Sequence, residues 1–214
     1  EWLEINSTCC QMSKVYLAEL EVIGEEQAKE KYADELSYIN KAHEALRSNL
    51  MERSLELVKQ GKIVAVLGGE HSTPLGLIEA LNDTYDDFGI LQIDAHLDFV
   101  DERHGVRYGH GNPMRRAAEK KYVRGISQFG IRNVSSTAKS GYEDAKKMGS
   151  DILSVRQFRK IGPHAAAKRI PKGRVYVTID IDAFCPSIAP GTGTPSHGGF
   201  LYYDVLELLQ ELSK

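Results

Sequence analysis

Three side chains that commonly bind metal ions lie within five residues, at the end of a predicted strand. In the segment ILQIDAHLDFVDE, Asp94, His96 and Asp98 follow an apolar run and alternate with Ala95 and Leu97. Carboxylate oxygens and imidazole nitrogens are ligands for divalent cations. Because isolated buried charges are costly, two aspartates in an apolar setting indicate that something compensates their charge.

Two further apolar runs lead into polar residues of the same kind. The run at residues 63–67 leads into GGEHS, which contains His71, and the run at residues 175–179 leads into Asp180 and Asp182. In sheets built from parallel strands, the carboxyl ends of the strands meet at one edge, where chemistry is usually located. All three groups of candidate residues are therefore expected at that edge.

Extended backbone would turn these side chains toward a common site. Residues two apart in a strand point to the same side, so Asp94 and His96 share a face, together with Asp98 if the strand persists. Asp180 and Asp182 share a face for the same reason. We therefore expect six side chains to converge. They are His71, Asp94, His96, Asp98, Asp180 and Asp182.

Aspartates brought this close would repel one another unless cations were bound between them. Two divalent ions would balance the four aspartates. The mixture of oxygen and nitrogen donors favours manganese(II), with nickel, cobalt or zinc as alternatives, and the lack of thiolate argues against a structural zinc site. A pair of ions about 3.5 to 4 Å apart lowers the pKa of a shared water so that it attacks an electrophilic carbon. The pattern therefore predicts a hydrolase.

Alternating helices and strands position these residues. A helix rich in Glu, Lys, Ala and Leu is predicted over residues 25–60. The apolar run at residues 63–67 predicts a strand buried on both faces, and a helix follows over residues 72–81. The other predicted elements are strands 89–93, 126–131, 152–153 and 175–179, and helices 113–121, 137–148, 163–170 and 202–212. This alternation predicts an α/β fold with a central parallel sheet, in a single domain over residues 1–214.

The composition excludes several classes of function. The chain has 214 residues, 42% of them hydrophobic and 27% charged, and its formal net charge of -3 argues against a nucleic-acid partner. Its apolar runs fall short of the roughly 18 residues of a membrane span, and we expect a cytoplasmic protein without a membrane partner. Cys9, Cys10 and Cys185 are an odd set with poor spacing for a disulfide framework, so we expect free thiols.

Three motifs resemble the metal-binding signatures of the ureohydrolases, the arginase and agmatinase superfamily. They are GGEHS at residues 68–72, DAHLD at residues 94–98 and TIDIDAFCPSIAPGTGTP at residues 178–195. The resemblance runs from about residue 61 to the end of the chain. It implies a three-layer α/β/α arginase-like fold, two manganese(II) ions with nickel also possible, and hydrolysis of a small guanidino substrate with release of urea. It also implies a homo-oligomer, a trimer or a hexamer.

The resemblance assigns roles to the candidate residues. One ion would bind His71, Asp94, Asp98 and Asp180, and the other would bind Asp94, His96, Asp180 and Asp182. Asp98 would also accept or relay a proton. In the segment RYGHGNPMRRA, residues 107–117, a His-Gly pair follows the second metal motif as it does in the agmatinase-like branch, and His110 would take the place of the catalytic histidine. This branch implies agmatine or a close relative as the substrate, and a role in polyamine metabolism.

Departures from the family pattern leave alternatives open. Glu70 stands where Asp is usual, and Asn112 stands where Thr is common after the His-Gly pair. Guanidinobutyrate, guanidinopropionate and free guanidine are alternative substrates. A different dinuclear hydrolase, such as a phosphoesterase or a formimino-hydrolase, is an alternative enzyme. Members of this family are usually longer. The family's glutamate that binds the substrate guanidinium has no counterpart in this sequence after Pro195. We therefore expect the chain to be incomplete at both ends, and a catalytically silent homologue is a further alternative.

Overall fold

The computed structural model describes residues 2–133 and 139–214. The helices are α1 (Trp2–Ile23), α2 (Glu25–Lys31), α3 (Ala33–Lys59), α4 (Pro74–Asn82), α5 (Pro113–Ala118), α6 (Lys139–Lys147), α7 (Val155–Ile161), α8 (Pro163–Ala167) and α9 (Tyr202–Leu212). The strands are β1 (Phe88–Ile93), β2 (Val123–Phe129), β3 (Ser150–Leu153) and β4 (Val175–Ile179). Among these described helices, none combines the length and the apolar character that a membrane crossing requires.

The strands form one parallel sheet in the order β3-β2-β1-β4. Strand β1 lies between two neighbours, and all of its residues are buried, as expected for a parallel strand covered on both faces. The register places Gln92 of β1 beside Gln128 of β2 and beside Thr178 of β4. Three polar side chains therefore form a row across the sheet, close to the carboxyl ends of the strands.

Helices cover both faces of this sheet. The cluster on one face includes Leu91, Ile93, Phe129 and Leu153 from the strands, with Val155 and Phe158 of α7, Ala166 of α8 and Val205 and Leu208 of α9. The cluster on the other face includes Phe88, Ile90 and Ile126 from the strands, with Ile78 of α4, Met114 and Ala117 of α5 and Ala145 of α6. The predicted three-layer α/β/α architecture with a central parallel sheet is confirmed.

The helix predicted over residues 25–60 is two helices, α2 and α3, with Tyr32 between them. Helix α3 packs closely on α4 because α4 carries Gly76 at the contact. A Cβ at this position would lie 2.7 Å from Leu50 Cβ and 2.9 Å from Arg47 O. Any larger side chain would therefore push the two helices apart.

The prediction of a buried strand at residues 63–67 is wrong. These residues form no strand, and Ile63 and Leu67 are exposed over essentially their whole side chains. The run lies across a groove from β4, whose outer edge pairs with no strand among the described residues. A strand needs a neighbour to satisfy its backbone N–H and C=O groups, so apolar composition alone does not create one here.

The other predicted elements are confirmed, with ends that differ by a few residues. The helix predicted over residues 137–148 is described from Lys139 onward, and its first two residues lie outside the described part of the chain.

Helices α1 and α7 are absent from the sequence-based expectations. Helix α7 begins with a capping box, in which Ser154 Oγ accepts from Gln157 N at 3.2 Å and Gln157 Oε1 accepts from Ser154 N at 2.9 Å. The three cysteines are free, as predicted.

Candidate metal centre

Asp94, His96 and Asp98 follow β1, but the strand does not continue through them. It ends at Ile93, and Asp98 has a left-handed backbone with φ 49. The expectation that Asp98 reaches the site through a persisting strand is therefore wrong, because a turn brings it there instead. Met114 N, at the start of α5, donates to Asp98 O at 3.1 Å and anchors this turn.

Asp180 and Asp182 follow β4 in a turn rather than in extended backbone. Residues Ile181–Ala183 form a 3₁₀ turn, and Asp182 N donates to Asp180 Oδ1 at 3.1 Å. The expected alternation of an extended strand is therefore wrong here, although both carboxylates reach the site. Ala95 N donates to Asp182 Oδ1 at 3.3 Å, which ties this turn to the loop after β1.

His71 lies in the turn that precedes α4, and its side chain is buried. Its Nδ1 lies 2.9 Å from Asp94 Oδ2, 2.7 Å from Asp98 Oδ2 and 3.5 Å from Asp180 Oδ2. Its other ring nitrogen, Nε2, lies 2.9 Å from Thr178 Oγ1. Although the preceding run forms no strand, side chains from the ends of β1 and β4 hold this imidazole in place.

The six candidate side chains meet in two overlapping groups. The groups are His71, Asp94 and Asp180, and Asp94, His96 and Asp182, and within each group one ligand atom per residue lies within 4.8 Å of the others. His96 Nδ1 lies 3.1 Å from Asp182 Oδ2 and 3.6 Å from Asp94 Oδ1. Asp98 joins the first group through its contact with His71. Because Asp94 belongs to both groups, two ions bound here would share a ligand.

Strong interactions shift the pKa values of the histidines and of the shared aspartate. Burial works against a charged His71, but hydrogen bonds with Asp94 and Asp98 outweigh it and raise the pKa of His71 well above its usual value. Hydrogen bonds with Asp182 and Asp94 raise the pKa of His96 to about 10. Burial also opposes ionisation of Asp94, yet hydrogen bonds from both histidines hold the pKa of Asp94 below its usual range. Without metal, the imidazoles carry the positive charge that these carboxylates need.

Two other carboxylates are destabilised in their charged form. Burial, together with the charge of Asp94, raises the pKa of Asp98 to about 7. The same two causes raise the pKa of Asp180. Carboxylates this close are not all ionised at neutral pH unless positive charge is added. Divalent cations supply that charge, and a set of carboxylate and imidazole donors without thiolate suits manganese(II) and similar ions. The residues therefore fit a pair of divalent ions.

Buried amides support the candidate ligands from within the sheet. Gln92 Nε2 donates to Asp94 Oδ2 at 2.6 Å and to His96 O at 3.3 Å. Gln128 Nε2 donates to Gln92 Oε1 at 2.5 Å and to Leu97 O at 2.7 Å. Such contacts orient ligands toward an ion. Sequence reasoning did not select these glutamines, but a polar residue two positions before Asp94 in an apolar run is a signal that could have identified Gln92.

Arg132 connects the loops around Asp182. Its guanidinium donates to the backbone carbonyls of Asp182 at 2.7 Å, Ser196 at 2.6 Å and His197 at 2.8 Å. Burial lowers the pKa of Arg132. Thr194 Oγ1 donates to Asp182 Oδ2 at 2.7 Å, so both the backbone and the carboxylate of Asp182 are held. The sequence offers no signal for the role of Arg132, because its acceptors are backbone atoms of distant loops.

A cavity of about 390 Å³ opens beside the candidate metal centre. Its lining includes the candidate ligands His71, His96, Asp98, Asp180 and Asp182. It also includes Glu70, Arg103 and His110, which are exposed and form its rim, together with Val100 and the loop of residues 191–194. His110 is exposed, and its Nδ1 lies 3.8 Å from Glu70 Oε2. The predicted catalytic histidine thus lies at the rim of the cavity that the candidate ligands share.

Known proteins resemble this chain in sequence. A family model described as Arginase family matches residues 7–214. The agmatinase of Bacillus subtilis (strain 168) is 34% identical over 174 residues, covering 76% of this chain and 57% of that protein. The mitochondrial arginase of Medicago truncatula is 33% identical over 170 residues, covering 77% of this chain and 49% of that protein. The chain therefore spans about half the length of these curated relatives.

The fold is also found among solved structures. The agmatine ureohydrolase of Thermoplasma volcanium matches with a TM-score of 0.70 and 29% sequence identity, over 80% of this chain and 57% of that chain. The family model covers nearly all of the residues in which the fold and the candidate metal centre lie. The chain therefore belongs to the arginase family.

Proposed function

We propose that the protein is a dinuclear metal-dependent hydrolase that cleaves a guanidinium C–N bond of a linear guanidino compound, agmatine or a close relative, and releases urea. The observation that supports this most is the meeting of four carboxylates and two imidazoles in two groups that share Asp94. Membership of the arginase family supports the same reaction class.

The proposed ions are two manganese(II) ions. One would be held by His71, Asp94, Asp98 and Asp180, and the other by Asp94, His96, Asp180 and Asp182. When bound, such a pair lowers the pKa of a water molecule and stabilises negative charge that develops in the reaction. The buried Gln92 and the hydroxyls of Thr178 and Thr194 would keep the ligands oriented, because each already contacts a ligand side chain.

The proposed reaction needs two proton transfers. A water oxygen adds to the guanidinium carbon, the bond from that carbon to the substituted nitrogen breaks, and the products are urea and a free amine. Asp98, whose Oδ2 faces His71 Nδ1, is proposed to accept the proton that the water loses. His110, at the rim of the cavity, is proposed to deliver a proton from its ring nitrogen to the departing amine. Histidine is the usual side chain for such transfers near neutral pH.

The agmatinase-like assignment rests on the segment around His110. The His-Gly pair at residues 110–111 follows the DAHLD motif as in that branch, and both residues line the cavity. An agmatinase and an arginase match the chain at nearly equal identity, 34% and 33%, so the motif rather than the overall identity supports this choice. The homo-oligomeric state and the cytoplasmic location stay predictions.

A urea-release screen tests the proposal. The complete gene product would be loaded with manganese or nickel and incubated with agmatine, guanidinobutyrate, guanidinopropionate, arginine and guanidine. We expect urea from at least one linear guanidino compound in the manganese-loaded protein. If no substrate yields urea while metal analysis finds both ions bound, the proposed activity would be contradicted and a structural homologue would be favoured.

His110→Asn tests the proposed proton donor. General acid and base groups contribute about 10²- to 10⁴-fold, so kcat is expected to fall by about that factor while metal content stays unchanged. His164→Asn is the matched control, because His164 lies on α8 and pairs with Glu211 away from the cavity. Equal activity of the two variants would remove His110 from the mechanism.

A further inference from the structure

Arg103 lines the cavity beside the candidate metal centre. Among the described residues around this cavity, Arg103 is the only arginine or lysine. It lies on the rim, in the loop that connects Asp98 to His110. The candidate metal ligands line the same cavity, so a substrate whose guanidinium lies at the ligands shares this cavity with Arg103.

The guanidinium of Arg103 forms no ion pair with the residues that the structure describes. Within the described part of the chain, no carboxylate lies within ion-pair distance of its guanidinium. The acids that precede it in sequence are paired elsewhere, Asp101 with Arg107 at 3.2 Å and Glu102 with Lys29 at 3.0 Å. An arginine whose neighbours are neutralised in this way is free to bind an anion with its planar array of N–H donors.

The backbone around Arg103 is fixed by hydrogen bonds. Arg103 N donates to Val106 O at 2.9 Å, and Val106 N donates to Arg103 O at 3.0 Å, which closes a tight turn. His104 and Gly105 both have positive φ in this turn. Asn40 of α3 donates to Gly105 O at 2.9 Å and ties the turn to the helical layer. The guanidinium is therefore carried on a positioned backbone at the cavity rim.

Glu70, on the same rim, has two contacts within the described part of the chain. Glu70 Oε1 accepts a short hydrogen bond from Ser72 Oγ, and its Oε2 lies 3.8 Å from His110 Nδ1. The aspartates lie at the metal end, where bound ions would neutralise them. At Arg103 itself, a terminal carboxylate on the substrate would meet an opposite charge, whereas a terminal ammonium would meet a like charge.

We propose that Arg103 binds a carboxylate at the far end of the substrate, so that the preferred substrates are guanidino acids rather than agmatine. This inference rests on the proposed hydrolase reaction, and it replaces agmatine by a guanidino acid as the preferred substrate. Guanidinobutyrate and agmatine form a suitable test pair, because they have similar length and differ in the sign of the terminal charge. A bidentate contact between a guanidinium and a carboxylate also orients the chain, which a single point charge does less well.

The test measures kcat/KM for urea release from guanidinobutyrate, guanidinopropionate and agmatine in the manganese-loaded complete gene product. The unmodified protein is expected to prefer the acids. Arg103→Gln is expected to lower the ratio of acid to agmatine activity by about 10- to 100-fold, mainly through KM for the acid. Arg103→Glu should shift the preference further toward agmatine, and Arg103→Lys should retain part of the preference for the acid.

Arg107→Gln is the matched control, because Arg107 lies in the same loop but pairs with Asp101 and does not line the cavity. Its acid-to-agmatine ratio should equal that of the unmodified protein. Preference of the unmodified protein for agmatine, or an unchanged ratio in Arg103→Gln, would overturn the inference while leaving the proposed hydrolase intact.

A separate measurement covers the case in which no compound yields urea. That result would contradict the proposed function, but calorimetric titration of guanidinobutyrate and agmatine into the same metal-loaded proteins still tests Arg103. Tighter binding of the acid, weakened in Arg103→Gln and not in Arg107→Gln, would support the carboxylate site. Equal binding of the two ligands would contradict it.

Discussion

The two halves of the candidate metal centre are supported in different ways. Asp94 follows β1, which has a strand on each side, and its side chain is only 1% exposed. Asp180 follows β4 at the edge of the sheet, and its side chain is 24% exposed. His71 follows a run that pairs with no strand in the described chain. One half is therefore built into the sheet, whereas the other depends on contacts between side chains.

This difference indicates where the geometry of the centre originates. On the β1 side, strand pairing fixes Gln92 beside Gln128, and Gln92 in turn fixes Asp94. On the other side, His71 relies on the hydroxyl of Thr178 and on carboxylates from both strands. Substitutions in the two halves should therefore differ in their effects on stability and on metal binding.

The largest effect is expected for the residue that joins the two groups. Asp94→Asn removes a charge from both, so binding of both ions should be lost, whereas Asp182→Asn should leave the group of His71 and Asp180 able to hold one ion. Metal stoichiometry after equilibrium dialysis checks this. Asp83→Asn, an exposed substitution at the end of α4, should retain both ions.

Loss of only one ion in Asp94→Asn, as expected for Asp182→Asn, would show that Asp94 serves one group alone. In that case Asp94 would not be shared, and the two halves would not form one centre.

A smaller effect is expected for Gln92→Met. This substitution removes the side-chain amide on the β1 side of the candidate metal centre and keeps the side-chain volume nearly constant. Metal affinity should fall about 10- to 100-fold, because Asp94 loses an orienting donor. The free energy of unfolding should also fall by about 1 to 3 kcal/mol, because Gln128 Nε2 loses an acceptor in a buried position. Chelator competition and urea denaturation measure the two quantities.

Gln210→Met on the exposed surface of α9 is the control for Gln92→Met and should change neither quantity. Unchanged metal affinity in Gln92→Met would mean that the strand alone orients Asp94.

A still smaller effect on metal affinity is expected for Thr178→Val, on the β4 side of the candidate metal centre. This change removes the hydroxyl that lies 2.9 Å from His71 Nε2 and keeps the shape of the side chain. Metal affinity should fall by about tenfold, with a smaller loss of stability than in Gln92→Met, because β4 lies at the edge. Thr84→Val, an exposed threonine, is the matched control. A stability loss larger than that of Gln92→Met would reverse the comparison.

The smallest effect is expected in the run at residues 63–67. Leu67 is fully exposed in the 214-residue chain, so Leu67→Ser should change the free energy of unfolding of that chain by less than about 0.5 kcal/mol. Leu91→Ala, at a buried position in β1, should cost about 2 to 5 kcal/mol. Urea denaturation of both variants tests the contrast, and similar losses would mean that Leu67 is buried in solution.

Much of the sheet could be predicted because its signals are local. Residues 88–93 and 175–179 are apolar runs that end in chemically active residues, and both are strands. The run at residues 63–67 is also apolar and is not a strand. Apolar composition makes a segment able to form a buried strand. Whether the strand forms depends on a neighbouring strand, which the local sequence does not specify.

The residues of the candidate site were predictable from the sequence, but the backbone conformation that brings them together was not. Residue types and motif order select the six donors, which the structure brings together. The left-handed Asp98 and the 3₁₀ turn after Asp180 were not predictable from the two-residue spacing, because that argument assumes extended backbone. The supporting contacts of Gln128 and Arg132 were not predictable either, because they depend on sheet register and on distant carbonyl groups.

Among the described residues, no strand pairs with the outer edge of β4, and this edge lies next to the candidate metal ligand Asp180. Unpaired N–H and C=O groups at such an edge act as a template for another strand, and the exposed Ile179 and Ile181 add an apolar surface beside it. Any strand that docked there would run past Asp180 and shield that carboxylate from water. Less solvent screening strengthens its attraction to a cation, so metal affinity would report directly on whether the edge is covered.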